Sequence, residues 1–143
     1  MPGGGIILKA IKLDALRENI PRITEFVDTE LEQDGCSMKA QMQIDIAIDE
    51  IVANVSFYAY TPGTGNVEIG FDYEPESRTA VITFTDSGVP FNPLEKEEPD
   101  TGLTAEEREI GGLGIFLVRK TMDSMEYRRE DGHNILTIRK KIG

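Results

Sequence analysis

The chain has 143 residues, of which 39% are apolar, and a formal net charge of −11. That length suits one domain, 1–143, around one core, and the acidic charge disfavours nucleic-acid partners, whose phosphates it repels. Cys36 and His133 are the sole residues of their types, which excludes an internal disulfide and multi-cysteine or multi-histidine metal centres and argues against a Ser-His-Asp triad.

No apolar run approaches the roughly 20 residues of a membrane span. Met1-Pro2-Gly3-Gly4-Gly5 lacks the basic start and cleavage site of a secretory signal. The expected setting is the cytoplasm, without a membrane. The charge also sets a condition: a phosphate-bearing ligand needs a divalent cation, oriented backbone amides, or both.

In chain order, 6–12 reads as a first strand. Asp14 can cap a helix through Leu16, Ile20, Ile23, Phe26, Val27 and Leu31, apolar at helical spacing. Pro21 starts or bends it, and Asp34-Gly35 closes it. Ser37 caps a second helix running to about Tyr60, with Ile44, Ile48, Ile51 and Val55 as its apolar stripe. Residues 66–73 and 78–85 alternate as two strands of a hairpin. An irregular acidic stretch, 92–109, is longer than ordinary connections. Gly111-Gly112-Leu113-Gly114 then opens a helix over 115–122. Two last strands, 124–130 and 134–142, flank the turn signal Asp131-Gly132. The order β-α-α-β-β-loop-α-β-β predicts a two-layer α/β sandwich, with a mixed, mainly antiparallel sheet and helices on one face.

Three short motifs carry candidate chemistry. Glu50 and Asn54 lie four apart on the second helix, on one face beside the apolar stripe. Both present oxygen, the donor Mg²⁺ requires, and Glu50 can act as a general base. Asp86-Ser87-Gly88 ends a strand; a carboxylate there can accept a bond from an exocyclic amine, and a glycine lets a ring approach the backbone. Val89-Pro90-Phe91 offers an apolar wall. Gly111 to Gly114 can turn amides toward an anion at a helix N-terminus. Each motif alone has an ordinary structural explanation as a helix edge, a turn or a helix entry. In this order they supply the parts of one nucleotide site.

With these motifs the sequence resembles the GHKL superfamily, with its Bergerat ATP-binding fold, and within it the bacterial anti-sigma-factor serine/threonine kinases. Glu50-Ile51-Val52-Ala53-Asn54 looks like the N-box. Asp86-Ser87-Gly88-Val89-Pro90-Phe91 looks like the first glycine box. Gly111-Gly112-Leu113-Gly114-Ile115-Phe116-Leu117-Val118 looks like the second. The resemblance implies ATP and Mg²⁺ as cofactors, with Asn54 on the metal and Glu50 polarising an acceptor hydroxyl or a water. It implies Asp86 on the adenine amine, Gly88 permitting close approach, and the glycine box with Leu113 and Ile115 around the phosphates. It also implies Thr137 on an adenine-linked water, 92–109 as an ATP lid, and Arg108 within reach of the γ-phosphate. Implied partners are an anti-sigma antagonist of the STAS fold, phosphorylated on Ser or Thr, a sigma factor, and a second copy in a homodimer. One departure is Tyr58, where this family often has a histidine four residues after the Asn. It keeps open a second reading, an ATP-gated binding module without transfer.

Overall fold

The computed structural model describes residues 9–60, 64–95 and 112–143. Its strands are β1 (Lys9–Asp14), β2 (Asn66–Glu74), β3 (Thr79–Asp86), β4 (Ser124–Glu130) and β5 (His133–Lys141); its α-helices are α1 (Ile20–Gln33), α2 (Met38–Asn54) and α3 (Gly112–Thr121). The strands form one sheet in the order β1-β2-β3-β5-β4, and every pairing is antiparallel.

Alternation gives the sheet two unlike faces. Val67, Ile69 and Phe71 of β2, Ile82 and Phe84 of β3, and Leu136 and Ile138 of β5 are buried on one face, against the helices. The register places them side by side: Ile69 opposite Phe84, and Phe84 opposite Leu136. The other face carries Thr83, Thr85, Ile135 and Thr137, each half-buried. From the helical layer come Ile23, Val27 and Leu31 of α1 and Ile44, Ile48, Ile51 and Val52 of α2. No helix among the described residues is long and apolar enough to cross a membrane.

Helix ends follow local chemistry, with two departures from expectation. Asp14 does not cap α1; it ends β1 opposite Asn66. A 3-10 turn, Arg17–Asn19, intervenes, and α1 starts at Ile20 with Pro21 in its first turn, where a missing N–H costs nothing. At the other end the Cys36 amide reaches the Leu31 carbonyl at 3.0 Å and the Gly35 amide reaches Glu32 at 3.2 Å. Gly35 holds φ +74°, so this is a Schellman closure that needs its glycine. Ser37 caps α2 by accepting the Ala40 amide at 3.2 Å. The second departure is that α2 does not run on as α-helix to Tyr60. It passes into one π-helical turn, Val55–Ala59, which re-aims the last side chains. The Asp131-Gly132 turn has φ 51° and 79°, as a two-residue hairpin requires.

Candidate functional site

The end of α2, the turn after β3, the first turn of α3 and the start of β5 surround one cleft. Its walls include Asn54, Asp86, Phe91, Pro93, Ile115, Tyr127, Asn134 and Leu136, and its empty volume is about 320 Å³. That figure includes space open to solvent, and the apolar walls with few polar groups are typical of ligand pockets.

The π turn is what joins α2 to the β3 turn. The Val89 amide donates to the Ala59 carbonyl at 3.0 Å. The Tyr60 hydroxyl accepts the Ser87 amide at 2.8 Å and donates to the Asn66 carbonyl at 2.7 Å. Gly88 packs directly on this turn, and a Cβ there would collide with the Ala59 carbonyl. From its motif, Gly88 is expected to let a bound ring approach the backbone. In the fold, the space its hydrogen leaves is taken by the protein's own helix.

Asp86 is 5% exposed. Its Oδ1 accepts the Gly88 amide at 2.9 Å and the Asn134 Nδ2 at 2.9 Å. Burial pushes its pKa up, while Asn134, Gly88 and the nearby Arg129 pull in the opposite sense. Asn134 does more than hold Asp86. Its Nδ2 also donates to the Val89 carbonyl at 2.8 Å, and its Oδ1 accepts the Phe91 amide and the Tyr127 hydroxyl. Every donor and acceptor of that amide is used. Arg129 closes the turn from outside, donating to the Gly88 carbonyl at 2.8 Å.

Glu50 and Asn54 stand where α2 faces α3. Asn54 is 5% exposed and lines the cleft, and its Nδ2 has no hydrogen-bond partner among the described residues. Such an orphan is rare in a folded protein and fits a ligand that brings the missing partner. Glu50 is half-buried, and burial first, then Asp49, raises its pKa, against Arg17. That moves a carboxylate toward the range useful to a general base at neutral pH. Its carboxylate lies so close to Gly114 that a Cβ on Gly114 would collide with it. Gly112, Leu113 and Gly114 form the first turn of α3 rather than a loop before it. The amides of a first turn have no partner within the helix, so the turn still presents N–H groups. Ile115 is buried in the cleft wall. At Tyr58 the ring stacks on Phe91, centroids 4.6 Å apart and 13° from parallel.

Of the expected site residues, Asn54, Asp86 and Ile115 line the cleft; Glu50 and Gly114 meet each other where α2 faces α3, and Gly88 packs on Ala59. Thr137 is not among them. It pairs with Thr83, on the sheet face away from the helices, because alternation turns it opposite to Leu136 and Ile138. The position of β5 that reaches Asp86 is Asn134, which the motifs missed. A signal existed: Asn134 is the one polar residue of the series Asn134, Leu136, Ile138 on the core face of β5. Arg108, Gly111 and most of the lid expected over 92–109 lie outside the described residues. Among the described residues no three or more His, Cys, Asp or Glu are grouped to hold a metal ion. A cation at Asn54 would therefore need oxygen ligands from its own ligand partner and from water.

The sandwich and its cleft are those of a histidine kinase-like ATPase domain. Residues 13–140 match the model of that family, and the chain belongs to it. The chain is similar to the serine/threonine-protein kinase BtrW of Bordetella bronchiseptica, 26% identical over 106 residues, 74% of each chain. It is similar to the serine-protein kinase RsbW of Listeria monocytogenes, 27% identical over 106 residues, 71% of this chain and 67% of that one. Among solved structures it resembles the RsbU and RsbW domains of Rv1364c from Mycobacterium tuberculosis, with a TM-score of 0.64, 14% identity, and coverage of 94% of this chain and 32% of the longer one. It also resembles the catalytic domain of the histidine kinase ThkA, with a TM-score of 0.53, 13% identity, and coverage of 94% and 97%.

Proposed function

We propose that the protein binds ATP with Mg²⁺ and phosphorylates a serine or threonine of a STAS-type anti-anti-sigma protein. In this reading it is an anti-sigma factor that holds a sigma factor, as a homodimer in the cytoplasm, within a partner-switching circuit. The observation that carries the reading is a cleft lined by Asp86, Ile115 and the unpartnered Asn54 amide, with Glu50 one turn before Asn54 and packed against the first turn of α3. Family membership and the kinases it is similar to support the same chemistry.

The nucleotide and its cation would supply the phosphoryl group and neutralise charge on it. The rest falls to the chain. Asn54 offers an amide to the metal and phosphate end. The first turn of α3 offers free amides and the positive end of a helix dipole, which a chain of net charge −11 needs to hold an anion. Asp86 is fixed through Oδ1 by Asn134 and Gly88, so its carboxylate is aimed for an amine donor. Glu50, with its raised pKa, orients the acceptor hydroxyl and takes its proton.

The second reading, a nucleotide-gated binding module, is favoured by Tyr58. A phenol stacked on Phe91 stands where relatives of this type often carry an imidazole. One experiment separates the two. The protein is incubated with Mg-ATP and the STAS-type proteins of its own genome, with Glu50→Gln and Asn54→Ala alongside. Transfer by the parent, lost in both variants, supports the kinase. Binding without transfer supports the module. Transfer that persists in both variants removes the assigned roles, and a parent that binds no ATP removes the reading.

A further inference from the structure

The outer side of α2 carries features that the cleft does not use. Met38, Met42 and Ile46 follow at four-residue intervals and are 83%, 60% and 50% exposed. At about 100° per residue they fall within an arc of about 80° on the helix. A contiguous row of large apolar side chains on an open surface marks an interaction site, and methionines suit one that must adapt to its partner. Beside the row, α1 and α2 bound an open groove. Its walls carry Glu25, Asp28, Glu32, Asp45 and Asp49, and no lysine or arginine. Asp28 and Asp45 set their carboxyl groups against each other, with the Oδ1 of each buried. The row and the groove are contiguous, since Asp45 and Asp49 alternate along α2 with Met42 and Ile46.

Charge decides what fits. A second copy would bring an identical carboxylate groove against the first, on chains of net charge −11 each, so self-association through this face is opposed. A metal ion is opposed as well, because among the described residues these carboxylates are not grouped to hold one. An apolar row needs an apolar counterpart, and a long acidic groove needs several cations spaced along it. We propose that the Met38–Met42–Ile46 row and the α1/α2 groove together dock a basic amphipathic helix of a partner protein, its apolar side chains on the row and its lysines or arginines in the groove. This names the chemistry of a partner within the function proposed above and rests on that reading only for its place in a regulatory circuit. The Asp45 carboxyl is pushed up to about 8 by burial, then by Asp28 and Glu32. A cation seated beside it would return it to carboxylate, so docking at neutral pH releases a proton. Glu50 and Asn54 continue the series one and two turns beyond Ile46, about 40° and 80° further round α2 toward α3, so the row ends beside the cleft and Met38, Met42 and Asp45 lie farthest from it.

The test is fluorescence anisotropy on the whole chain with three labelled synthetic helices. One has a leucine seam flanked by lysines. In the second, glutamates replace the lysines; in the third, serines replace the leucines. The first is expected to bind, and the others to bind at least roughly tenfold more weakly. The variants Met42→Ser/Ile46→Ser and Asp28→Asn/Asp45→Asn should each lose at least roughly tenfold for the first peptide, the carboxylate pair with reduced salt dependence, while both retain ATP binding. The proposal is overturned if the first peptide does not bind, if all three bind alike, or if sedimentation shows a dimer that Met42→Ser/Ile46→Ser dissociates, which would put a second copy on this face. A parent that binds ATP but not the peptide sinks this proposal alone. A parent that binds the peptide but no ATP sinks the functional reading and leaves this one standing.

Discussion

Replacing Asn134 by Ala tests whether one side chain holds the β3 turn and the cleft in register. Four hydrogen bonds are lost, to Asp86, Val89, Phe91 and Tyr127. The exposed part of the turn recovers some of them from water. The Asp86 carboxylate, 5% exposed, does not; it keeps only the Gly88 amide and loses a bond to a charged group, worth about 1.5–3 kcal/mol. Adding about 1 kcal/mol for the remaining buried partners gives a loss of roughly 2.5–4 kcal/mol, which for a domain of this size lowers Tm by about 10 °C. The loss should also depend on pH. Asp86 has a pKa already raised by burial, and Asn134 opposes that rise, so without it the ionised form is penalised further. A raised carboxyl stabilises the fold below the unfolded pKa, and that contribution fades as pH rises through the folded pKa. The deficit of Asn134→Ala should therefore be larger at pH 8 than at pH 4, as calorimetry at the two pH values would record. Asp86→Asn in the same background should recover part of it, measured as a double-mutant cycle. An Asn134→Ala protein with parental Tm, or a deficit that grows toward acid pH, would refute the reasoning.

Gly114→Ala should leave the unfolding free energy within about 1 kcal/mol of the parent, since Ala favours a helix and the Glu50 carboxylate it meets is the free end of a flexible side chain. By displacing Glu50 it should slow phosphotransfer by roughly 100-fold or more, read by radiolabel transfer; a fast variant would separate Glu50 from the chemistry. Asn54→Ala removes a buried donor that has no partner, so thermal melts should show no large destabilisation while isothermal titration shows nucleotide binding lost. A strongly destabilised variant with intact binding would contradict both halves. Asp45, raised to about 8, contributes stability that is complete at acid pH and is lost as pH rises through 8. Parental Tm should thus fall from about pH 4 to about pH 8 and level off above it, modestly because solvent screens the pair, and Asp45→Asn should flatten that slope. Parallel slopes would remove the Asp28–Asp45 interaction.

Much of this was legible in the chain because local rules act locally. The alternation of Val67, Ile69 and Phe71, the Asp131-Gly132 turn, the Ser37 cap and the Gly35 closure each depend on a few neighbouring residues. The cleft was legible in part for the same reason: Glu50 and Asn54 share a helix face whatever lies beyond it. What could not be read depends on register and on helix phase. Thr137 and Asn134 both sit in β5, three apart, and only the pairing with β3 decides which faces Asp86. The π turn at Val55–Ala59 has no short signature, yet it fixes what Gly88 packs against. Asp14 looked like a cap because sequence alone does not show how far a strand extends.

α2 serves two sides of the molecule at once, and its composition reflects the conflict. Helical phase divides it into a buried face, an edge toward α3 with Glu50 and Asn54, and an outer arc with Met38, Met42 and Ile46 beside Asp45 and Asp49. A helix selected for stability alone would not leave a buried amide nitrogen unpaired at one edge and large apolar side chains exposed on the outer arc. Both features are unfavourable in the isolated chain and become favourable when something covers them. The same holds for the net charge of −11. It opposes an anion at the cleft, which is why free amides of a helix end matter there, and it favours a basic partner on the acidic groove. Tests of the two sides separate best at positions a full turn or more from Glu50, since Ile46 adjoins it on the helix. Substitutions at Asn54 or Gly114 should spare docking on the outer arc, and substitutions at Met42 or Asp45 should spare the nucleotide.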